Sequence, residues 1–240
     1  MSASERAVVA VFAKRPAPGA VKTRMCPPLE PEQAARLYAA MLDDVLATTA
    51  AAVGAVGAAT WLLVHPPDAV DELAARAPAG FEARAQRGAD LAARMTAGVA
   101  DAAAAGFTRI LLRGSDNPSL PAAQLRAGLA ALDACDLAVG PDRDGGYGWI
   151  ALRRPVPDLF DHAMSTASVL DDTLARAAAH GLQVRRLEPH FDLDRIDDLA
   201  RLADARRLGT AAECPRTLAL LDREDLWRCV PGLDEAGPTR

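Results

Sequence analysis

The sequence predicts an α/β fold in a single domain, built on a mainly parallel sheet with helices on both faces. Short apolar runs with strand propensity alternate with helical segments along most of the chain, which is the order of repeated strand–helix units. The first run, residues 7–13, is almost free of polar side chains. Such a run is typical of a strand that is covered on both faces. The length of 240 residues, half of them hydrophobic, is enough for one large core.

Strands are predicted at short runs rich in apolar and β-branched residues, bounded by turn residues or charges. They cover residues 7–13, 60–64, 81–86, 108–112, 135–139, 147–152 and 183–187. The run at 108–112, TRILL, is dense in apolar residues, so we expect it near the centre of the sheet.

Helices are predicted between these runs, where apolar residues recur at helical spacing. Pro31 and Glu32 open a long first helix, because proline and an acid suit the first helical turn. Further helices are expected at 70–76, 88–106, 120–133, 157–162, 168–180 and 196–208. The single domain is predicted to span 1–230, and residues 231–240 to form a disordered tail.

Composition and charge exclude several classes of protein. The formal net charge of -5 gives no general attraction to nucleic acid. The four cysteines are scattered and form no C-x-x-C pair, which fits a reducing cytoplasm better than a disulfide framework. The N-terminus lacks the basic region of a signal peptide, and no apolar stretch approaches the ~20 residues of a membrane span. We therefore expect a cytoplasmic protein with small-molecule partners, no nucleic acid and no membrane span.

A basic loop, residues 14–24, follows the first strand. Its cations are Lys14, Arg15, Lys22 and Arg24, and its one glycine is Gly19. Ligands of open α/β sheets bind at the carboxyl ends of strands, where Lys and Arg suit phosphate oxygens. The loop matches neither the Walker A pattern nor the dinucleotide fingerprint. The alternative is an ordinary solvated basic surface.

A second group of polar residues, 113–118, follows the expected central strand. Asp116 there is a candidate ligand for Mg²⁺ or Mn²⁺, since hard cations prefer oxygen ligands. Ser115 and Asn117 are placed to orient that carboxylate or to contact a ribose. The alternative, equally favoured by position alone, is that Asp116 only caps the turn before the next helix.

A third group lies in the glycine-rich loop 140–148. Asp142 and Asp144 flank Arg143, so both acids are candidates to face one side. Gly145 and Gly146 allow positive φ and the close approach of a ligand. The alternative is a hairpin turn, for which Asp-Gly is a strong signal.

Three further residues, Asp192, Asp194 and Gln86, are candidates for the site. Asp192 and Asp194 point the same way on an extended segment, so both are candidates to reach one cation. We favour a division in which Asp194 caps the following helix and Asp192 binds the metal. Gln86 offers the donor and acceptor pair that recognises a base edge, although a capped helix start explains its surroundings equally well. No histidine lies in a nucleophile context, so neither serine or cysteine catalysis nor a zinc site is expected.

Five motifs in order across residues 8–199 together resemble one known group. They are FAKRPAPGAVKTRM, GSDNPSLP, GPDRDGGYGWIAL, MSTASVLDDTL and FDLDRIDDL. The set resembles the bacterial GT-A-type glycosyltransferases named radical-SAM/selenodomain-associated transferase 1. It is similar more distantly to 2-phospho-L-lactate guanylyltransferase and the molybdenum-cofactor guanylyltransferases. The resemblance implies the nucleotide-diphospho-sugar transferase fold.

The resemblance also implies roles for the matching residues. Nucleotide binding falls to Lys22, Thr23, Arg24, Gly114 and Ser115, acceptor or sugar binding to Gly145, Gly146, Tyr147, Ser165 and Thr166, and metal binding to Asp116, Asp192 and Asp194. Gly148 and Arg113 depart from the family pattern, and we expect both to reshape the acceptor site.

The leading hypothesis is metal-dependent glycosyl transfer from a nucleotide sugar to a small acceptor. Mg²⁺ or Mn²⁺ on the aspartates and phosphates on Lys14, Lys22 and Arg24 would stabilise the leaving nucleotide. The catalytic candidates are Asp116, Lys22 and Asp144, the last for acceptor orientation or base catalysis. The second hypothesis is nucleotidyl transfer from an NTP, whose triphosphate needs more cations. The third is a nucleotide-binding module without activity.

Overall fold

Seven strands form one sheet in the computed structural model, which describes residues 6–233. In sheet order they are β3 (Phe81–Ala85), β2 (Ala59–His65), β1 (Ala7–Lys14), β4 (Arg109–Arg113), β6 (Tyr147–Leu152), β5 (Leu137–Pro141) and β7 (Val184–Arg186). Neighbouring strands run parallel, except that β6 is antiparallel to both β4 and β5. The predicted α/β class and mainly parallel sheet are confirmed.

Helices cover both faces of the sheet because successive side chains of the buried strands point to opposite sides. The helices are α1 (Pro31–Gly54), α2 (Val70–Arg76), α3 (Leu91–Ala104), α4 (Ala122–Ala131), α5 (Val169–Ala179), α6 (Asp198–Arg207) and α7 (Pro215–Arg223). On β1, Val8 and Ala10 share a core cluster with residues of α3 and α5. Val9 lies in a cluster with α4 and Val11 in one with α1 and α2.

The reversal of β6 places the third polar group at the same edge as the first two. The carboxyl ends of β1, β4 and β5 meet at one edge of the sheet, and the antiparallel pairing brings the amino end of β6 there as well. The β5–β6 connection is a hairpin, closed by a hydrogen bond from Asp142 N to Gly146 O (3.0 Å). The predicted hairpin turn is therefore confirmed, and residues of this loop can still belong to a ligand-binding site.

Several sequence-based boundaries need correction. Residues 157–162 form turns and no helix, because the positive φ of Asp158 (56°) is not helical, although Leu159 and Phe160 are buried. Helix α7 and the 3-10 turn Leu226–Cys229 were not predicted. Most of the expected disordered tail, 231–240, falls outside the described residues.

Helix α1 also corrects the expectation about membrane spans. Within residues 6–233, α1 is the one helix whose length and apolar composition would allow it to cross a membrane. However, 67% of its apolar window is buried inside the fold, as in the core helix of a globular domain. The cytoplasmic location stays a prediction.

The C-terminal helices are joined to the sheet layer through a buried carboxylate on α1. Asp44 is 0% exposed and accepts hydrogen bonds from Thr217 N and Oγ1, each 2.7 Å, and from Arg216 N at 3.2 Å. These donors lie in the first turn of α7, where backbone N–H groups have no partner within the helix. Asp44 therefore caps α7 from a neighbouring helix.

Asp44→Ala is expected to lower the free energy of unfolding by ~3 kcal/mol, because it leaves buried donors without an acceptor. Asp43→Ala is the matched control: its carboxylate pairs with the partly exposed Arg76, so its loss should stay below ~1 kcal/mol. Urea unfolding of both variants measures the difference. Equal losses would contradict the capping role.

Candidate active site

A cleft of about 780 Å³ opens at this edge of the sheet. Its walls come from the loops after β1, β4 and β5, the start of β6, the start of α3, and the segments 164–167 and 192–195. The three polar groups of the sequence and the Asp192–Asp194 pair thus converge on one cavity. This convergence is what a nucleotide site at the end of a parallel sheet requires.

A buried ammonium group lies at the centre of the cleft. The Lys22 side chain is only 3% exposed, and its Nζ donates to Asp116 Oδ1 and to Asp194 Oδ1, the latter at 2.9 Å. Burial by itself lowers the pKa of Lys22, but the two carboxylates outweigh burial and raise the pKa above its ordinary value. The Lys22 backbone is left-handed (φ 49°), an uncommon conformation for a residue other than glycine. Lys22 therefore stays charged.

Two backbone hydrogen bonds place the segment that carries Asp192 in the cleft. His190 N donates to Pro141 O at 2.9 Å, and Leu193 N donates to Asp116 O at 2.8 Å. The segment is thereby fixed between the loops that follow β5 and β4. As a result, Asp192 lies beside Asp142.

Asp142 and Asp192 form a buried carboxyl pair. Asp142 is 6% exposed, and the Oδ1 atoms of both residues are buried without a hydrogen-bond partner. Burial raises the pKa of Asp142 to about 7, and repulsion from Asp144, Asp116 and Asp194 adds to this shift. Burial, followed by repulsion from Asp142 and Asp116, also raises the pKa of Asp192. The sequence predicts that Asp142 and Asp144 face one side of the loop 140–148, but it assigns no role in the site to Asp142.

Asp142 joins Asp116, Asp192 and Asp194 as a candidate ligand for a divalent cation, because its carboxylate lines the same cleft. Within residues 6–233, no group of three or more His, Cys, Asp or Glu side chains is arranged to hold a metal ion. Asp142 and Asp192, which both line the cleft, nevertheless each have one buried carboxyl oxygen without a hydrogen-bond partner, whereas Asp116 and Asp194 hold Lys22. Mg²⁺ typically uses one or two carboxylates and completes its shell with water and phosphate oxygens.

The expectation that Asp194 caps the next helix is wrong. Helix α6 begins at Asp198, and it is the Asp198 carboxylate that accepts from Asp194 N (3.0 Å) and Arg195 N (2.7 Å). The Asp194 side chain instead contacts Lys22 and, at 3.6 Å, Arg24. Burial acts to raise the pKa of Asp194, but Lys22 and Arg24 outweigh burial and lower it.

The basic loop separates into residues that face the cleft and residues that do not. Lys14, Thr23 and Arg24 line the cleft, whereas Gly19 lies outside its lining. Arg15 is turned away, since its guanidinium pairs with Asp68 (2.7 Å) and Glu72 (2.9 Å) on the surface. In the part of the chain that the structure describes, Lys14 makes no ion pair. The charge of Lys14 is thus available to a ligand.

Gln86 lines the cleft, but its amide group is already engaged. Nε2 donates to Ala13 O (3.1 Å) and to Leu63 O (2.8 Å). Because both partners are carbonyl oxygens, the amide orientation is unambiguous and both amide hydrogens are used. The donor half of the sequence-based prediction is therefore wrong: Gln86 can only accept a hydrogen bond from a ligand.

The expected acceptor residues occupy the opposite wall of the cleft. Asp144, Gly146, Tyr147, Ser165 and Thr166 line it. Asp144 is exposed, and its Oδ1 accepts from Gly146 N (3.1 Å), which stabilises the hairpin turn.

Gly145 does not line the cleft. Its φ is 93°, and a Cβ there would lie 2.0 Å from Ala167 O, so glycine is needed for the hairpin to pack on the segment 164–167. Gly145 therefore contributes to the site only through the packing of the hairpin that forms part of the cleft wall.

The two departures from the family pattern have structural roles. Arg113 is 1% exposed, and its guanidinium donates to Thr49 Oγ1 on α1 (3.0 Å) and to Asn117 O (3.3 Å). Burial lowers the pKa of Arg113 to about 9. A Cβ at Gly148 would lie 1.9 Å from Asn117 Nδ2. Both residues pack against Asn117 and also line the cleft, so the expectation that they reshape an acceptor site stays a prediction.

Comparisons of sequence place the chain beside known proteins. The family model described as "Uncharacterized protein conserved in bacteria (DUF2064)" matches residues 48–166. A phosphoenolpyruvate guanylyltransferase of Sphaerobacter thermophilus is 33% identical over 198 residues, which are 80% of this chain and 91% of the relative. A 3-phospho-D-glycerate guanylyltransferase of Phenylobacterium zucineum is 33% identical over 226 residues, which are 91% of this chain and 98% of the relative.

Comparisons of structure agree with the expected fold. A candidate nucleotide-diphospho-sugar transferase of Desulfovibrio desulfuricans has a TM-score of 0.83 and 31% identity, covering 92% of this chain and 96% of its own. A cytidylyltransferase of Leptospira borgpetersenii has a TM-score of 0.55 at 11% identity, covering 95% of this chain and 98% of its own, and shows the fold alone. The fold is of the nucleotide-diphospho-sugar transferase type. Membership of the narrower radical-SAM/selenodomain-associated family stays a prediction.

Asp142→Asn is expected to raise the melting temperature of the metal-free protein at pH 8 by about 2 °C or more. The pKa of Asp142 is about 7 in the folded protein against an ordinary 3.8, so the folded state binds more protons between these values. Stability therefore falls as the pH rises through this window, and asparagine removes that loss. The gain should shrink as the pH is lowered toward 4.

Thermal unfolding in EDTA between pH 4 and 8 measures this gain. Asp171→Asn, on the exposed face of α5, is the control for the change in net charge. A variant that is destabilised equally at every pH would show that the pKa of Asp142 is not raised in the folded protein.

Proposed function

The chain belongs to the DUF2064 family of bacterial proteins, and we propose that it is a nucleotidyltransferase. It would join the nucleoside monophosphate part of an NTP to a phosphorylated small molecule and release pyrophosphate. The observation that carries this proposal is the meeting, in one cleft, of the Lys22 ammonium with two unpartnered buried carboxyl oxygens. The names of the two guanylyltransferase relatives support it.

In this reaction an oxygen of the acceptor phosphate attacks the α-phosphorus of the NTP. The bond to the bridging oxygen breaks, and pyrophosphate leaves with the electron pair. Lys22, Lys14 and Arg24 would bind the phosphates and stabilise the charge that develops on them. Asp142 and Asp192 would hold Mg²⁺ or Mn²⁺, which when bound neutralises phosphate charge.

Asp116 and Asp194 have a second task in this proposal. They hold the Lys22 ammonium in place before any phosphate arrives, so the cation does not have to be ordered at the moment of binding. Such preorganisation lowers the entropic cost of binding the substrate.

The base is proposed to be guanine, on the chemistry of Gln86. Its amide can only accept from a ligand, since Ala13 O and Leu63 O use its hydrogens. Guanine presents hydrogen-bond donors at N1 and N2 to such an acceptor. The names of the relatives support the same base.

The acceptor is proposed to be a small phosphorylated carboxylic acid. Phosphoenolpyruvate and 3-phospho-D-glycerate, which the relatives are named for, share that chemistry. Ser165 and Thr166 on the far wall would contact it, and Asp144 would orient it.

Glycosyl transfer from a nucleotide sugar is the second candidate, favoured by the name of the Desulfovibrio desulfuricans relative. The two functions differ in their products. GTP with Mg²⁺ and a phosphorylated three-carbon acid should release pyrophosphate, whereas nucleotide sugars should not be consumed. An assay of pyrophosphate across a panel of NTPs, nucleotide sugars and acids measures this. Consumption of a nucleotide sugar, with no pyrophosphate formed from any NTP, would favour the second candidate.

Lys22→Met is expected to lower kcat/KM for GTP by about 100-fold or more, because it removes a preorganised cation from the phosphate site. Arg15→Met is the matched control: it removes a cation of the same loop that is paired with surface carboxylates. Arg15→Met should change kcat/KM less than about twofold. Equal effects of the two substitutions would remove Lys22 from the mechanism.

A further inference from the structure

A buried tyrosine on α1 links the loop that follows β1 to the loop that follows β4. Tyr38 is 3% exposed, and its ring packs in the core cluster with Leu42 and Val45. Its hydroxyl reaches out of that cluster. It accepts a hydrogen bond from Lys14 N at 2.9 Å and lies 2.8 Å from Ser115 Oγ. No sequence motif contains Tyr38.

The direction of this hydrogen-bond chain follows from the chemistry of its members. A backbone N–H only donates, so Lys14 N must donate to the Tyr38 oxygen. The phenol has one proton, and a buried proton without an acceptor is costly. Within residues 6–233, Ser115 Oγ is the only acceptor in reach of it. Tyr38 therefore donates to Ser115.

Ser115 is left with a proton of its own. Its oxygen already accepts from Tyr38, and no acceptor for the Ser115 proton lies within hydrogen-bond distance in the described part of the chain. Ser115 lines the cleft between Gly114 and Asp116. A ligand that accepts a hydrogen bond, such as a phosphate oxygen, satisfies this proton.

We propose that Tyr38 is a positioning residue that holds Ser115 as a hydrogen-bond donor to the phosphates of the bound nucleotide. The role rests on the proposed function, since it needs a nucleotide in this cleft. Tyr38 acts through Ser115 and does not touch the substrate itself. It also ties the backbone of Lys14 to the Ser115 hydroxyl, so the cationic loop and the aspartate loop keep one spacing.

A double-mutant cycle on nucleotide affinity tests this role. Dissociation constants for GTP are measured calorimetrically with Mg²⁺ and no acceptor, for wild type, Tyr38→Phe, Ser115→Ala and the double variant. Ser115→Ala should weaken binding about tenfold, because a charge-assisted hydrogen bond is lost. Tyr38→Phe should weaken it about fivefold, because the hydroxyl is no longer oriented. In the Ser115→Ala background, Tyr38→Phe should change affinity less than about twofold.

A matched control separates orientation from loss of stability. Thr60→Val also removes one buried hydroxyl, whose hydrogen bond to Gly80 O is 2.8 Å long, near the start of β2 and outside the cleft lining. It should lower the melting temperature about as much as Tyr38→Phe and leave GTP affinity unchanged.

The possible outcomes distinguish this role from the proposed function. Wild-type protein that binds no GTP overturns both. Wild-type protein that binds GTP, while Tyr38→Phe has no effect or has the same effect with and without Ser115, overturns only the role of Tyr38. A double variant that binds GTP about as weakly as Ser115→Ala alone supports the role of Tyr38.

Discussion

The site is organised around one buried cation, Lys22. An ammonium group that is removed from water needs carboxylate partners, and breaking such a pair leaves a costly uncompensated charge. Asp116 and Asp194 supply those partners from loops far apart in the chain. The positions of these loops are therefore coupled: whatever displaces one carboxylate also exposes the charge that the other must balance.

The four carboxylates near Lys22 differ in their hydrogen-bond partners, and this difference bears on function. Asp116 and Asp194 both accept hydrogen bonds from the Lys22 ammonium group. Asp142 and Asp192, in contrast, each have one buried oxygen without a hydrogen-bond partner. Burial, followed by repulsion from neighbouring carboxylates, raises the pKa values of Asp142 and Asp192, which makes their charged forms unfavourable in the folded protein. Perturbed carboxyls in a cleft are typical of functional sites. The local cost is offset by the extensive core on both faces of the sheet.

Much of the fold could be predicted from the sequence because it rests on local signals. Every strand was found within a few residues of its observed bounds, since apolar runs and turn residues are read directly. Helix α7 was not predicted, although Pro215 lies at its first position as Pro31 does in α1; its cap, Asp44, comes from a distant part of the chain. The helix expected at 157–162 is absent. Leu159 and Phe160 are buried in the core, and a pattern of apolar residues alone does not distinguish a helix from a buried turn.

Local patterns along the chain specify the strand–helix order, the loops that bear cations and carboxylates, and the edge of the sheet where those loops lie. Which carboxylates pair with which groups follows from the folded arrangement alone. Asp192 meets Asp142 because two backbone hydrogen bonds fix its segment between the loops after β4 and β5. The engaged amide of Gln86 and the link through Tyr38 likewise depend on residues distant in sequence. Charge partners are set by distances across the fold, and spacing along the chain does not specify those distances.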